Sequence, residues 1–117
     1  MQVLNFYKLG KKIPDGAIYI GRSMPHEGLV GSKFANKFKI TETDTREIVV
    51  EKYKKWLWGE IRSGRITLED LLELEGHDLV CFCKQDGKEV ACHGDVLVKA
   101  VAWARRKYDT VHGYWEY

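Results

Sequence analysis

The spacing of apolar residues divides the chain into short strand-like runs and longer helical stretches. Residues 2–7 alternate between apolar and polar side chains, as a half-buried strand does. Residues 17–20 are almost continuously apolar, which is typical of a buried central strand. Residues 78–83 form another β-rich run. We therefore predict three strands, with the one at 17–20 in the middle of a sheet.

Helical spacing of apolar residues appears in three further stretches. Asp44 and Glu47 have the spacing of a capping box, and the helix that follows is predicted to end at Gly64. Thr67 can cap a second, shorter helix. The predicted helices run from Asp44 to Gly64, from Leu68 to Leu74, and from about Val96 to Lys107.

The order strand, strand, two helices, strand, helix is typical of an α/β sandwich. We predict one α/β domain over residues 1–117, in which a central, mostly parallel sheet is flanked by helices. Residues 23–42 show no clear periodicity, and a loop of that length is usually functional or poorly ordered. The aromatic tail, 109–117, is predicted to add a final strand or to cover the core.

The composition excludes several classes of protein. A hydrophobic fraction of 44% and a charged fraction of 31% are ordinary for a globular domain. The net charge of +2 is by itself too small to indicate nucleic-acid binding, which stays the least favoured of the interpretations. The chain has no apolar run that could span a bilayer, and residues 1–12 lack a signal-peptide pattern. We expect a cytoplasmic protein without a membrane partner, and the sequence leaves both a monomer and a homo-oligomer open.

Three cysteines and a histidine lie close together in the sequence: Cys81, Cys83, Cys92 and His93. An odd number of cysteines argues against a disulfide framework. Cys81 and Cys83 would share one face of the predicted strand, because side chains alternate with a period of two. Three interpretations stay open: a zinc site of three thiolates and an imidazole, a reactive thiol, or simple burial of Cys81 and Cys83 in the core.

The residues around Cys92 favour chemistry at the start of the last helix. A cysteine near a helix N-terminus and beside a histidine is typical of a nucleophile, with His93 moving a proton and Asp95 orienting it. Gly94 would let the backbone approach a ligand, and an open helix start binds anions. Arg22 follows a predicted buried strand, where the ligands of α/β sheets bind, and could clamp a phosphate.

Several short motifs follow one another along the chain in a characteristic order. They are Tyr19-Ile20-Gly21-Arg22, Gly31-Ser32 with Asn36 and Phe38, Arg46 with Tyr53, Asp78 to Cys83, and Cys92 to Leu97. This series, over about residues 17–104, resembles the phage and bacterial family catalogued as domain of unknown function 4326. The resemblance implies a compact α/β domain with a polar pocket.

These observations support a leading hypothesis and an alternative. The leading hypothesis is the binding or processing of a nucleotide-like, phosphate-bearing small molecule at a pocket lined by cysteine, histidine and arginine; in a phage it would act on host nucleotide metabolism or signalling. The alternative is a small zinc-bearing adaptor that binds another protein. The sequence names no cofactor. The candidate ligand-binding residues are Arg22, Asn36, Arg46, Gly94, Cys81 and Cys83, and the candidate catalytic residues are Cys92, His93 and Asp95.

Overall fold

Three short parallel strands form the central sheet in the computed structural model, which describes residues 1–82 and 92–112 and no side chain beyond 110. The strands are β1 (Val3–Asn5), β2 (Ile18–Tyr19) and β3 (Leu79–Cys81), in the order β1-β3-β2. The prediction of 17–20 as the central strand is wrong: β2 lies at an edge and pairs with β3. β3 is buried along its whole length, because it has a strand on either side and packing on both faces.

Helices follow the strands as the hydrophobic spacing predicts, and the chain is a small α/β domain. The helices are α1 (Arg46–Ser63), α2 (Leu68–Leu72) and α3 (His93–His112), with short 3-10 turns at Tyr7–Leu9 and Pro25–Glu27. Gly64 ends α1 as expected, in a left-handed conformation that glycine adopts without strain. None of the helices in the described part of the chain is both long and apolar enough to cross a lipid bilayer.

The cap of α1 is one residue later than predicted. The Thr45 side chain accepts the amide N–H of Ile48 at 3.4 Å. Asp44 is held in the preceding turn, where its own amide donates to the Thr41 hydroxyl, and its carboxylate binds Lys52 Nζ at 2.6 Å. The aspartate is therefore an ion-pair partner of the helix rather than its cap.

The last helix begins earlier and ends later than the apolar pattern indicates. The Cys92 carbonyl accepts the amide of Asp95 at 3.0 Å, so the first helical turn already includes His93. At the other end, α3 continues to His112 through residues that we predicted as tail. Residues 113–117 lie outside the described part of the chain.

The two faces of β3 pack against different layers. Leu79 and Cys81 belong to a cluster that contains buried residues of all three helices. Val80 belongs to a second cluster with Phe6 and Leu29, and Phe82 packs against it, so segments from the loops cover this face. This alternation over 79–82 agrees with the predicted period of two.

The long segment between β2 and α1 lacks helices apart from the turn at Pro25–Glu27, yet it is tied down at several points. The amide of Ser32 donates to the Gly21 carbonyl at 2.9 Å. The buried hydroxyl of Tyr53, on α1, donates to the Phe34 carbonyl at 2.6 Å. These bonds hold the segment near the carboxyl ends of the strands.

Candidate functional site

A pocket of about 700 Å³ lies at the carboxyl edge of the sheet, a volume typical of small-molecule sites. Ligands of parallel α/β sheets bind in the crevice at this edge, where the loops after the strands diverge. The lining comes from residues at the strand ends, the β2–α1 segment and the starts of α1 and α3: Tyr7, Tyr19, Gly21, Arg22, Ser23, Met24, Asn36, Phe38, Lys39, Ile40, Arg46, Val49, Val50, Cys81, Phe82 and His93.

The charges on the pocket wall are positive. Arg22 and Lys39 are exposed, and Arg46 is half-buried at the first position of α1. No aspartate or glutamate belongs to the lining among residues 1–82 and 92–112. Guanidinium and ammonium groups gathered on one wall favour an anionic ligand. Lys39 was not among the residues predicted to line this pocket, because its place on the wall depends on the path of an aperiodic loop.

Aromatic rings form another part of the wall. The Phe82 ring lies 5.1 Å from that of Tyr7 and 6.0 Å from that of Tyr19, measured between centroids, with an edge-on contact to Tyr19. The Tyr19 hydroxyl donates to the Arg22 carbonyl at 2.6 Å. This bond fixes the turn that carries the Arg22 side chain. Tyr7 and Phe82 were also not predicted as pocket residues, because a single aromatic residue after a strand does not by itself indicate a binding site.

Gly21 is required for this arrangement of Tyr19. A Cβ atom at position 21 would lie 2.5 Å from Cζ of the Tyr19 ring, closer than side chains tolerate. Glycine thus lets the ring fold back over the chain and reach the Arg22 carbonyl. The packing explains why glycine stands between the strand and the arginine.

His93 connects the pocket to the sheet. It is only 3% exposed, and its Nε2 lies 3.1 Å from the Ile20 carbonyl oxygen, to which it donates as the neutral ring. Burial lowers the pKa of His93, and the positive charge of Arg22 acts in the same direction. The Ile20 hydrogen bond and the electrostatic interactions with Cys81 and Asp95 oppose this pKa shift without reversing it. In the neutral ring Nδ1 carries the lone pair.

The two cysteines of the described chain lie side by side beneath the pocket. Cys81 Sγ and Cys92 Sγ are 3.4 Å apart, and neither residue is more than 1% exposed. Cys81 belongs to the pocket lining, whereas Cys92 does not. The predicted nucleophile, Cys92, is therefore one side chain removed from the pocket. Cys83 lies outside the described residues.

Gly94 and Asp95 do not face the pocket. Gly94 is buried, and a Cβ there would lie 2.7 Å from Cγ1 of Val3, so its small size serves the packing of α3 on β1. The amides of Gly94 and Asp95 donate to the Sγ and carbonyl oxygen of Cys92. The expected anion site at this helix start is thus occupied by the cysteine. Asp95 borders a separate hollow beside Gln2.

Of the eight candidate residues that the structure describes, five lie at one pocket: Arg22, Asn36, Arg46, Cys81 and His93. Over residues 1–82 and 92–112, no three cysteine, histidine, aspartate or glutamate side chains come close enough together to hold a metal ion. The zinc set includes Cys83, so the zinc adaptor stays a prediction.

The fold and the pocket define a small α/β protein with a cationic, aromatic cleft at the carboxyl edge of a parallel sheet. The family model for a domain of unknown function (DUF4326) matches residues 5–103, and the chain belongs to that family. This confirms the resemblance seen in the sequence motifs.

One viral relative gives a second point of comparison. The chain is 33% identical over 88 residues to the uncharacterized protein R718 of Acanthamoeba polyphaga mimivirus, a match that covers 70% of this chain and 64% of R718. The chain thus spans slightly less than two thirds of that relative. No solved structure matches the chain.

Proposed function

We propose that the protein binds a nucleotide-like, phosphate-bearing small molecule in the pocket at the carboxyl edge of the sheet. The observation that carries this proposal is that positively charged and aromatic side chains line the same pocket, which has a volume of about 700 Å³. A phosphate group is the kind of anion that guanidinium groups bind well, and a planar base has the shape and π-face that the aromatic side chains favour.

The phosphate is proposed to lie between Arg22 and Arg46. The Arg22 carbonyl accepts a hydrogen bond from the Tyr19 hydroxyl, and Arg46 begins a helix of 18 residues, whose positive dipole end favours an anion. Arginine suits a phosphate because its planar fork can donate two parallel hydrogen bonds. Lys39 would add a further positive charge from the β2–α1 segment.

The base is proposed to contact the aromatic side of the pocket. Tyr7, Tyr19 and Phe82 form one continuous set of ring contacts there. Asn36 can discriminate between bases: its Oδ1 already accepts the amide of Phe38 at 2.9 Å, which leaves the side-chain NH₂ as the donor toward a ligand. A base with an acceptor at its edge is therefore preferred.

Binding is tested by calorimetric titration with AMP, ADP, GMP, GDP and CMP, beside adenosine and inorganic phosphate. We expect at least one nucleotide to bind more tightly than either of its parts. We expect adenosine and phosphate alone to bind weakly, because each occupies one half of the pocket. Equal, weak binding by the whole set would contradict the proposal.

Arginine variants identify where the phosphate sits. Arg46→Gln removes a positive charge at the first position of α1 and should weaken nucleotide binding about 10- to 100-fold, the usual worth of a charged hydrogen bond. Arg62→Gln removes the same charge from the last turn of the same helix and should leave the affinity unchanged. Equal losses in both variants would point to a general charge effect instead of a site.

Turnover is a separate question from binding. Each nucleotide that binds is incubated with the protein and followed by liquid chromatography and mass spectrometry. A product that disappears in Cys92→Ala and His93→Gln supports an enzyme that uses the predicted catalytic residues. If the wild-type protein leaves the nucleotide unchanged, and Cys92→Ala binds it with the same affinity as the wild type, the protein is a binding module.

A further inference from the structure

The contact between two buried thiols has a chemical consequence that ligand binding does not require. Cys81 ends β3 and Cys92 immediately precedes α3, so 11 residues of sequence separate two sulfurs that lie 3.4 Å apart. A disulfide needs the sulfurs to approach to about 2.05 Å. The two sulfurs would therefore have to approach each other by about a further 1.4 Å, and Cys92 belongs to none of the three strands.

We infer that Cys81 and Cys92 form an oxidation site, at which peroxide converts the two thiols into a disulfide. Cys81 belongs to the pocket lining and Cys92 does not, so an oxidant that enters the pocket lies nearer to Cys81 than to Cys92. Cys92 then resolves the oxidised cysteine. Its sulfur accepts the Gly94 amide N–H at 3.4 Å, at the start of a helix of 20 residues, a position that favours a thiolate.

The chemistry balances with hydrogen peroxide as the oxidant. The Cys81 thiolate attacks one peroxide oxygen, the O–O bond breaks, and a sulfenic acid and one water form after proton transfer. The Cys92 thiolate attacks the Cys81 sulfur, the S–O bond breaks, and the departing hydroxide takes up a proton to give a second water. Two thiols and one peroxide thus yield one disulfide and two waters.

Oxidation here would also reach the pocket. Drawing the Cys92 sulfur toward Cys81 removes the acceptor of the Gly94 amide and disturbs the first turn of α3, which carries His93. Any change in nucleotide affinity that follows rests on the proposed function. The disulfide itself does not, and it is measured without a ligand.

Peptide mapping tests the pair directly. The reduced protein is treated with hydrogen peroxide, quenched with catalase, alkylated with iodoacetamide and digested with trypsin. Trypsin places Cys81 and Cys83 in peptide 66–84 and Cys92 in peptide 89–99. We expect peroxide to cross-link these two peptides and dithiothreitol to separate them again. Fragmentation on either side of Phe82 should then identify Cys81, and not Cys83, as the linked residue.

Two variants serve as controls. Cys83→Ser should keep the cross-link, because the proposed pair is intact, and Cys92→Ser should lose it. If a serine variant fails to fold, the fragmentation of the wild-type peptides still decides the question. A link through Cys83, a link between two molecules, or sulfinic acid on Cys81 without any link would overturn the inference.

Discussion

The buried hydroxyl of Tyr53 offers a sharp test of how the pocket segment is held. In Tyr53→Phe one oxygen atom is removed from a residue that is 0% exposed, and the carbonyl of Phe34 loses a hydrogen bond of 2.6 Å. Water does not readily replace this bond, because the site is buried. A buried acceptor left without its partner costs about 1–3 kcal/mol, so we expect a loss of that size in the free energy of unfolding.

The same substitution at Tyr19 provides a matched comparison. Its hydroxyl also donates to a backbone carbonyl at 2.6 Å, that of Arg22, but this bond is exposed to solvent. Water can take the place of the phenol in Tyr19→Phe, so we expect a loss of about 0.5 kcal/mol or less. Burial is therefore the main difference between the two variants.

Urea unfolding followed by tryptophan fluorescence measures both losses. For a chain of this size, a loss of about 2 kcal/mol lowers the urea midpoint by roughly 1 M at constant slope. An unchanged midpoint in Tyr53→Phe, or an equal shift in the two variants, would refute the assignment of the Phe34 bond as an anchor of the segment.

Two further stability predictions follow from His93 and from the glycines. Because burial lowers the pKa of His93 below its ordinary 6.5, the native state gains this proton later than the unfolded state as pH falls. The contribution of neutral His93 to the free energy of unfolding is complete above pH 6.5 and is lost as the pH falls below that value, by at most about 1.4 kcal/mol per pH unit. His93→Gln should therefore flatten the dependence of the free energy of unfolding on pH, measured by urea unfolding. An identical pH dependence in the variant and the wild type would contradict the prediction. Gly94→Ala should cost about 1–3 kcal/mol because its Cβ overlaps Val3. Gly59 lies within α1, and a Cβ added there would have no neighbour within 4 Å, so Gly59→Ala should raise the free energy of unfolding by about 0.5–1 kcal/mol. A lower free energy of unfolding in this variant would contradict the packing argument.

The sequence was sufficient to locate most elements but not their arrangement. Apolar periodicity predicted helices that begin near Thr45 and Thr67, because caps and spacing act over a few residues. It did not predict the strand order, since pairing joins residues that lie far apart in the chain. The run at 17–20 is apolar for another reason: the helices cover Ile18 on one face and the loops cover Tyr19 on the other.

The candidate site could be predicted in part for a similar reason. Residues next to a strand end or a helix start, such as Arg22, Arg46 and His93, reach the pocket because parallel strands end at one edge. Lys39 reaches it through the path of an irregular segment, which no local pattern specifies. At Gly94 the sequence suggested a close approach by a ligand, whereas the close neighbour is the Val3 side chain.

The unequal covering of the sheet has a consequence for how the protein opens. All three helices contribute to the cluster on one face, while the other face is sheltered by the loops that also wall the pocket. A thin layer of this kind separates from a domain at lower free energy than packed helices do. Hydrogen exchange at the Val80 amide and emptying of the pocket would then belong to one opening event. A molecule seated in the pocket would slow that exchange even though it never contacts the strand amides.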